Sequence, residues 1–300
     1  MAIADLELHE MWRPPSLSAL ESRLAERAAA SEKTILLAGG TDWVVEQEMA
    51  RAADPAAPRP LLVDISTLAD LRGITLTGNT LRIGAATTYL ELRRHPEIGQ
   101  GTRRAELLAR MAQDLGALQI QARGTLGGNL ATSSPAADGV TALAAYEATV
   151  ILRSTRGERR VPLSAYQLGY KQTTKAPDEL ILAFEIDLPS RYSWYWRKVG
   201  TRRAQAISKV ALSAVAVVED GLTTRIGFGM ASVAPVTALL PNTRKLLLAT
   251  PIADLAAPDI DAAVLADISP IDDIRSTRDY RSHCARILVK DFLRQLGARI

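Results

Sequence analysis

The 300-residue sequence contains one cysteine, Cys284, and three histidines, His9, His95 and His283. A single thiol closes no disulfide within the chain and builds no iron–sulfur or zinc centre on its own. The histidines lie far apart without metal-ligand spacing, so no metal site is expected. A lone free thiol fits a reducing compartment, and a cytoplasmic location is expected. Aromatic residues make up 5%, too few for the stacking platforms of nucleic-acid binders. The net charge of +3 comes from scattered pairs such as Arg93–Arg94, Arg103–Arg104, Arg159–Arg160 and Arg202–Arg203. Without a basic run these read as solvated faces or protein contacts, and no nucleic-acid partner is expected. No stretch reaches the roughly 18 uncharged apolar residues of a membrane span. Residues Met1–Trp12 carry acids at Asp5, Glu7 and Glu10 instead of a basic and then apolar leader, so no signal peptide is expected. There is no internal repeat.

What remains is an ordinary globular balance, 47% apolar and 23% charged, with length for two or three cores. Helical and strand-like segments alternate, which predicts α/β or α+β layers. Ser16 caps a predicted helix over Leu17–Ala30. Thr34–Ala38 reads as a strand, Trp43–Met49 as a helix, Ala52–Pro60 as a linker, and Leu61–Ile65 as a second strand. Gly73–Thr77 and Thr80–Ala85 flank the turn Gly78–Asn79 as a hairpin. Thr87 or Thr88 caps a helix over Tyr89–Arg94, and another runs from Arg104 to Leu115. Ala122–Asp138 reads as a long glycine-, serine- and threonine-rich loop, a kind of segment that often carries function. Val140–Glu147 reads as helix, Thr149–Arg153 and Arg159–Val161 as a hairpin around Arg156–Gly157, and Glu179–Leu188 as a strand. After Pro189, strands over Ser193–Val199, Ile207–Val218 and Gly221–Ala231 and helices over Thr237–Leu248 and Thr277–Leu296 form a separate α+β domain.

Two glycine motifs stand out. The first, Leu36-Leu37-Ala38-Gly39-Gly40-Thr41-Asp42, runs a strand through two glycines into a helix start. Glycine admits positive φ and close approach of a ligand, and free N–H groups at such a turn suit a phosphate. The same residues also fit a plain tight turn with Asp42 as helix cap. The second, Arg123-Gly124-Thr125-Leu126-Gly127-Gly128-Asn129, offers backbone and side-chain donors. Asp138, nine residues after Asn129, is a candidate acceptor for ribose hydroxyls. The alternatives are a glycine-rich surface loop and a cap for the next helix. Neither a Gly-x-Gly-x-x-Gly fingerprint nor a P-loop is present, so any dinucleotide site uses another fold. No nucleophile elbow or metal-binding helix emerges, and no catalytic acid or base is assigned. Trp194 and Trp196 alternate with Tyr195 on a strand, where core packing is favoured over flavin stacking.

In this order and at this separation the motifs resemble the FAD-binding medium subunits of the molybdenum hydroxylases, the family of xanthine dehydrogenase and molybdenum-type carbon monoxide dehydrogenase. Trp12-Arg13-Pro14-Pro15, Ser134-Pro135-Ala136-Ala137-Asp138, Glu179–Ile186, Arg197-Lys198-Val199 and Arg275-Ser276-Thr277-Arg278-Asp279-Tyr280-Arg281 extend the resemblance over nearly the whole chain. It implies an α+β chain with a two-subdomain FAD-binding fold of the p-cresol methylhydroxylase and vanillyl-alcohol oxidase type, divided at 1–60 and 61–188, and a C-terminal α+β domain over 189–300. Carried over residue by residue, it implies that Leu36, Leu37, Ala38, Gly39, Gly40, Thr41, Asp42 and Trp43 wrap the FAD diphosphate and approach the flavin. Leu115 would pack at the isoalloxazine or adenine end. Thr125, Gly127, Gly128 and Asn129 would hold the second side of the diphosphate, and Asp138 the ribose or ribityl hydroxyls. Ile181 would contact FAD through main chain, and Lys198 would stand near the flavin. The family also implies partners: a large molybdenum-cofactor subunit and a small subunit with 2Fe-2S clusters, with NAD or another acceptor downstream. One lone cysteine suits that division of labour. At Ala206 the chain departs from relatives that carry an aspartate, and the contact made by that carboxylate is absent. A stand-alone flavin reductase and a non-catalytic nucleotide-binding subunit are the competing functions.

Overall fold

A computed structural model describes residues 9–50, 59–99 and 105–300. Its first sheet is small and parallel, with β1 (Met11–Trp12), β2 (Thr34–Leu37) and β3 (Leu61–Asp64) in the order β1-β3-β2. Leu62 pairs with Met11 on one side and with Ile35 on the other. The boundary expected between residues 60 and 61 falls just before β3. β3 is the central strand, and cutting before it would leave β1 and β2 with nothing to pair. Most of the expected linker, 52–58, lies outside the described residues, as do residues 1–8 and Arg104. The helix Leu17–Ala29 starts where Ser16 accepts the N–H of Ala19. It lays Leu20 and Leu24 on Leu61 and Val63 of this sheet.

The second sheet is antiparallel. β4 (Ile74–Thr77), β5 (Thr80–Gly84), β6 (Thr149–Ser154), β7 (Gly157–Pro162) and, after a short ribbon of β8 (Gln167–Gly169) and β9 (Gln172–Thr173), β10 (Leu180–Asp187) take the order β4-β5-β10-β6-β7. Both predicted hairpins are present, with Thr77 paired to Thr80 and Ser154 to Gly157. One face of this sheet packs Ile151, Leu180 and Leu182 against the first sheet. The other packs Val150, Leu152 and Phe184 under the helices Tyr89–Arg94, Glu106–Asp114 and Asp138–Ala145.

The third sheet, β11 (Ser193–Val199), β12 (Val210–Glu219) and β13 (Leu222–Ala231), is antiparallel and backed by the helices Pro241–Ala249, Ala257–Asp267 and Arg278–Gln295. The helix Ala257–Asp267 is not among the predicted elements. Its last residue, Asp267, accepts the N–H groups of Asn242 and Thr243, which starts the helix at Pro241 and not at Thr237. Helix Asp138–Ala145 bridges the second and third sheets. Its backbone lies so close to β13 that a Cβ at Gly227 or Gly229 would stand 2.2 Å from a helix carbonyl.

The segment 122–138, expected as a loop, contains the helix Leu126–Thr132, with Thr125 accepting the N–H of Gly128. Glycine's low helix propensity hides this turn of helix in the sequence. Long-range bonds from Leu126 N–H to Thr87 O and from Gly127 N–H to Ala85 O hold it.

Candidate functional site

β2 ends at Leu37, and the chain turns through Ala38–Asp42 into helix Trp43–Ala50. Gly40 makes the turn with φ +71, and no atom lies within 4 Å of where its Cβ would stand. Gly39 serves a different need. A Cβ there would lie 2.0 Å from the carbonyl oxygen of Arg123, so the first turn rests directly on the backbone that opens the second motif. Arg123 Nε donates to Gly39 O at 3.3 Å. Farther along, Thr132 Oγ1 donates to the Asp42 carboxylate at 2.8 Å and lies 3.0 Å from Gly128 O. The two motifs, more than eighty residues apart in sequence, thus form one continuous surface. The Asp42 carboxylate accepts from the last residue of helix Leu126–Thr132, and its main-chain carbonyl accepts the N–H of Glu46.

This surface walls a cavity of about 400 Å³, which Ile65, Ala85, Tyr89, Leu115, Ile120, Lys175 and Ile181 complete. That volume is in the range of small-molecule sites. The two motifs contribute to it unequally. In the second, the N–H groups of Leu126, Gly127, Gly128 and Asn129 donate to Thr87 O, Ala85 O, Thr125 Oγ1 and Thr125 O. The expected nest of backbone donors is corrected here: folding uses those amides internally. In the first, no acceptor for the N–H groups of Gly39, Gly40, Thr41 or Asp42 is found among the described residues. Three wall side chains also carry a buried polar atom without a hydrogen-bond partner among the described residues: Trp43 Nε1, Tyr89 OH and Asn129 Oδ1. Orphaned groups are rare because each costs about 1–3 kcal/mol. Burial, with the carboxylates of Asp138 and Asp42 nearby, pushes the Tyr89 hydroxyl well above its ordinary value, so it stays neutral.

Amides without an acceptor among the described residues, set at a glycine turn beside apolar walls, fit a phosphate-bearing ligand with a flat ring system. The comparisons agree. Residues 6–190 match the FAD binding domain in molybdopterin dehydrogenase, and residues 195–296 match the CO dehydrogenase flavoprotein C-terminal domain. The chain belongs to the FAD-binding medium subunits of the molybdenum hydroxylases. Among these subunits it is 30% identical over 268 residues to a putative xanthine dehydrogenase FAD-binding subunit of Escherichia coli, covering 88% of each chain. It is 34% identical over 189 residues to the nicotinate dehydrogenase FAD-subunit of Eubacterium barkeri, covering 62% of this chain and 61% of that subunit. A solved structure of carbon monoxide dehydrogenase from Hydrogenophaga pseudoflava, a form lacking the Mo-pyranopterin moiety of its cofactor, superposes with TM-score 0.85. The match is 25% identical and covers 94% of this chain and 95% of that one.

Of the residues put forward from the sequence of this medium subunit, Leu36–Trp43, Leu115, Thr125, Gly127, Gly128, Asn129 and Ile181 all line the cavity. Asp138 and Lys198 do not. They pair with each other at 2.5 Å, with side chains 6% and 9% exposed. The second Asp138 oxygen accepts from Ser208 Oγ at 2.6 Å. Asp138 is the first residue of its helix and its carboxylate caps nothing there, because Ala137 takes the cap position. Burial, opposed by Lys198, raises the Asp138 carboxyl above its ordinary value. The pair still borders the site: Lys198 Nζ donates to the carbonyl of Asp114, next to Leu115, and Asp138 acts on the wall residue Tyr89. Trp194 and Trp196 stand outside the cavity and anchor the third sheet, donating to Glu106 and Asp114. Tyr89, Thr132 and Lys175 belong to no motif, and three separate segments bring them to the wall. Among the described residues no helix is long and apolar enough to cross a membrane, and no metal-binding cluster occurs.

Proposed function

We propose that this medium subunit relays electrons inside a molybdenum hydroxylase, receiving them from a partner's 2Fe-2S clusters and delivering them to NAD or another acceptor. Bound FAD supplies the redox chemistry of that relay, and the protein supplies position and electrostatics. The observation that carries the reading is the Gly39–Asp42 turn, which lines the cavity and whose four backbone N–H groups find no acceptor among the described residues. Leu36–Trp43 then hold the diphosphate, and Thr125, Gly127, Gly128 and Asn129 flank it from the second motif. Leu115 and Ile181 pack on the rings. Asp138 and Lys198 belong to the same site from behind the wall, since a carboxylate that accepts two bonds keeps further lone pairs for a hydroxyl. The molybdenum cofactor and the clusters reside on a large and a small partner subunit. A single cysteine in this chain and its likeness to a carbon monoxide dehydrogenase medium chain support that assignment. In domain terms, we divide the chain into a first unit reaching through β3, a second ending near residue 188 and a third over 189–300.

Purification from a native host tests this. A yellow complex that releases FAD and contains molybdenum and iron supports the proposal. FAD without either metal, reducible by NADH, would indicate a stand-alone reductase. A colourless chain that fails to take up added FAD would overturn the site.

A further inference from the structure

Lys175 lies on the segment between β9 and β10 and is the one cationic side chain on the cavity wall among the described residues. The acidic ones are Asp42, bonded to Thr132, and Glu46, paired with Lys171. Lys175 Nζ donates to two carbonyls, Ala176 O at 3.1 Å and Glu179 O at 3.0 Å. An ammonium has three N–H donors, so one remains. The neighbouring carboxylates do not neutralise it, because Asp178 is held by Arg156 and Glu179 by Arg159. Burial pulls the Lys175 ammonium below its ordinary value, against the opposing pull of Glu179 and Asp178. A half-buried ammonium whose neighbouring carboxylates are already shared with arginines gains from a further negative group beside it. In FAD that group is the diphosphate, since its adenine, ribityl chain and oxidised ring system are neutral.

We propose that Lys175 is the counter-cation of the cofactor's diphosphate, donating its remaining N–H to a phosphate oxygen or lying beside it as a point charge. The proposal rests on the FAD assignment above. It adds a side-chain charge to a cradle otherwise made of neutral backbone donors.

The test measures dissociation constants of the full chain for FAD, ADP and riboflavin, comparing wild type with K175M, K175Q and K175R. The expected result is a weakening of at least about tenfold for both FAD and ADP in K175M and K175Q, with riboflavin unchanged. K175R should recover most of the loss. Wild-type affinity for ADP should fall with added salt more steeply than that of K175M, because a charge pair has been removed. K175Q keeps a donor for the two carbonyls, so it separates loss of charge from loss of local structure if K175M folds poorly. Unchanged FAD and ADP affinity in both neutral variants would overturn the proposal. So would a loss confined to riboflavin and FAD with ADP untouched, which would place Lys175 against the rings. A wild-type chain that binds neither FAD nor ADP would instead overturn the cofactor assignment itself.

Discussion

Replacing Gly39 by alanine should separate the two glycine motifs, and the distances give the size of the effect. The new Cβ would lie 2.0 Å from Arg123 O, 2.5 Å from Arg123 C and 3.0 Å from Gly124 N. All three are backbone atoms, so no side chain can rotate aside. Arg123 and Gly124 are themselves fixed, with both N–H groups on Ile120 O and Gly124 O accepting from Tyr89 N–H. The first turn must therefore move by about 1 Å to reach even the 3.0 Å limit. Overpacking of this kind costs about 1–3 kcal/mol, which lowers Tm by roughly 2–4 °C per kcal/mol in a chain of this size. FAD affinity should fall as well, by roughly tenfold or more, because the moved amides lose charge-assisted bonds worth about 1.5–3 kcal/mol each. Gly40→Ala is the control. It meets no protein atom but imposes a left-handed φ of +71, a strain of about 1–2 kcal/mol, and its methyl projects into open space beside the free N–H groups. Differential scanning fluorimetry and flavin-fluorescence titration on both variants would decide. A Gly39→Ala protein with wild-type Tm and wild-type flavin content would refute the contact between the motifs.

Other expectations follow from the buried charges. Asp138→Asn leaves the Lys198 ammonium buried without its carboxylate, a loss of about 3–5 kcal/mol; urea denaturation showing less than about 1 kcal/mol would mean the pair is solvated. The pH dependence has two opposed parts. Arginine hydrogen bonds hold Asp178 (from Arg156), Glu179 (from Arg159) and Glu185 (from Arg160) below their ordinary values. Their stabilisation is complete above those values and is lost as pH falls through the depressed ones. Asp138 is raised, so its own contribution grows as pH falls and partly offsets the decline. Thermal melts should thus show a Tm that drops below about pH 4.5, the ordinary glutamate value, with a shallower drop in Glu185→Gln. A constant gap between Glu185→Gln and wild type from pH 6 to pH 3 would count against the Glu185 ion pairs with Arg82 and Arg160.

The parts of this fold that are legible in the sequence are those closed by local bonds. Ser16 and Thr88 cap their helices through N–H groups three residues on, and the turns at Gly78–Asn79 and Thr155–Arg156 join strands adjacent in the chain. What escapes is set by distant partners. β1 is two residues long and exists because Leu62 and Val63 pair with it. The helix Leu126–Thr132 holds a Gly-Gly pair that propensity alone would leave irregular. Asp138 shows the same limit at the site. Its spacing from Asn129 marks it as a hydroxyl acceptor, but its strongest neighbour is Lys198, sixty residues away, and no local pattern announces that pairing. Lys175 and Tyr89 are likewise ordinary residues until the sheets bring them to one wall.

The two glycine motifs look alike in sequence and do different work, and Gly128→Val exposes the difference. The first motif leaves its amides without an acceptor among the described residues. The second uses its amides to build a short helix that backs the first. Gly128 therefore acts through space and not through its own N–H, which is bonded to Thr125 Oγ1 at 3.0 Å. A Cβ at Gly128 would meet only that oxygen, also at 3.0 Å. Valine adds two methyl groups beyond it, crowding the cap and extending into the cavity that Gly128 lines. Losing the cap costs about 0.5–2 kcal/mol, a modest loss of stability, whereas filling the space proposed for the diphosphate should abolish FAD binding. Gly128→Ala should retain most of both. If Gly128→Val folds and holds a full complement of flavin, the second motif does not face the cofactor, and the cradle reduces to the first turn and its neighbours.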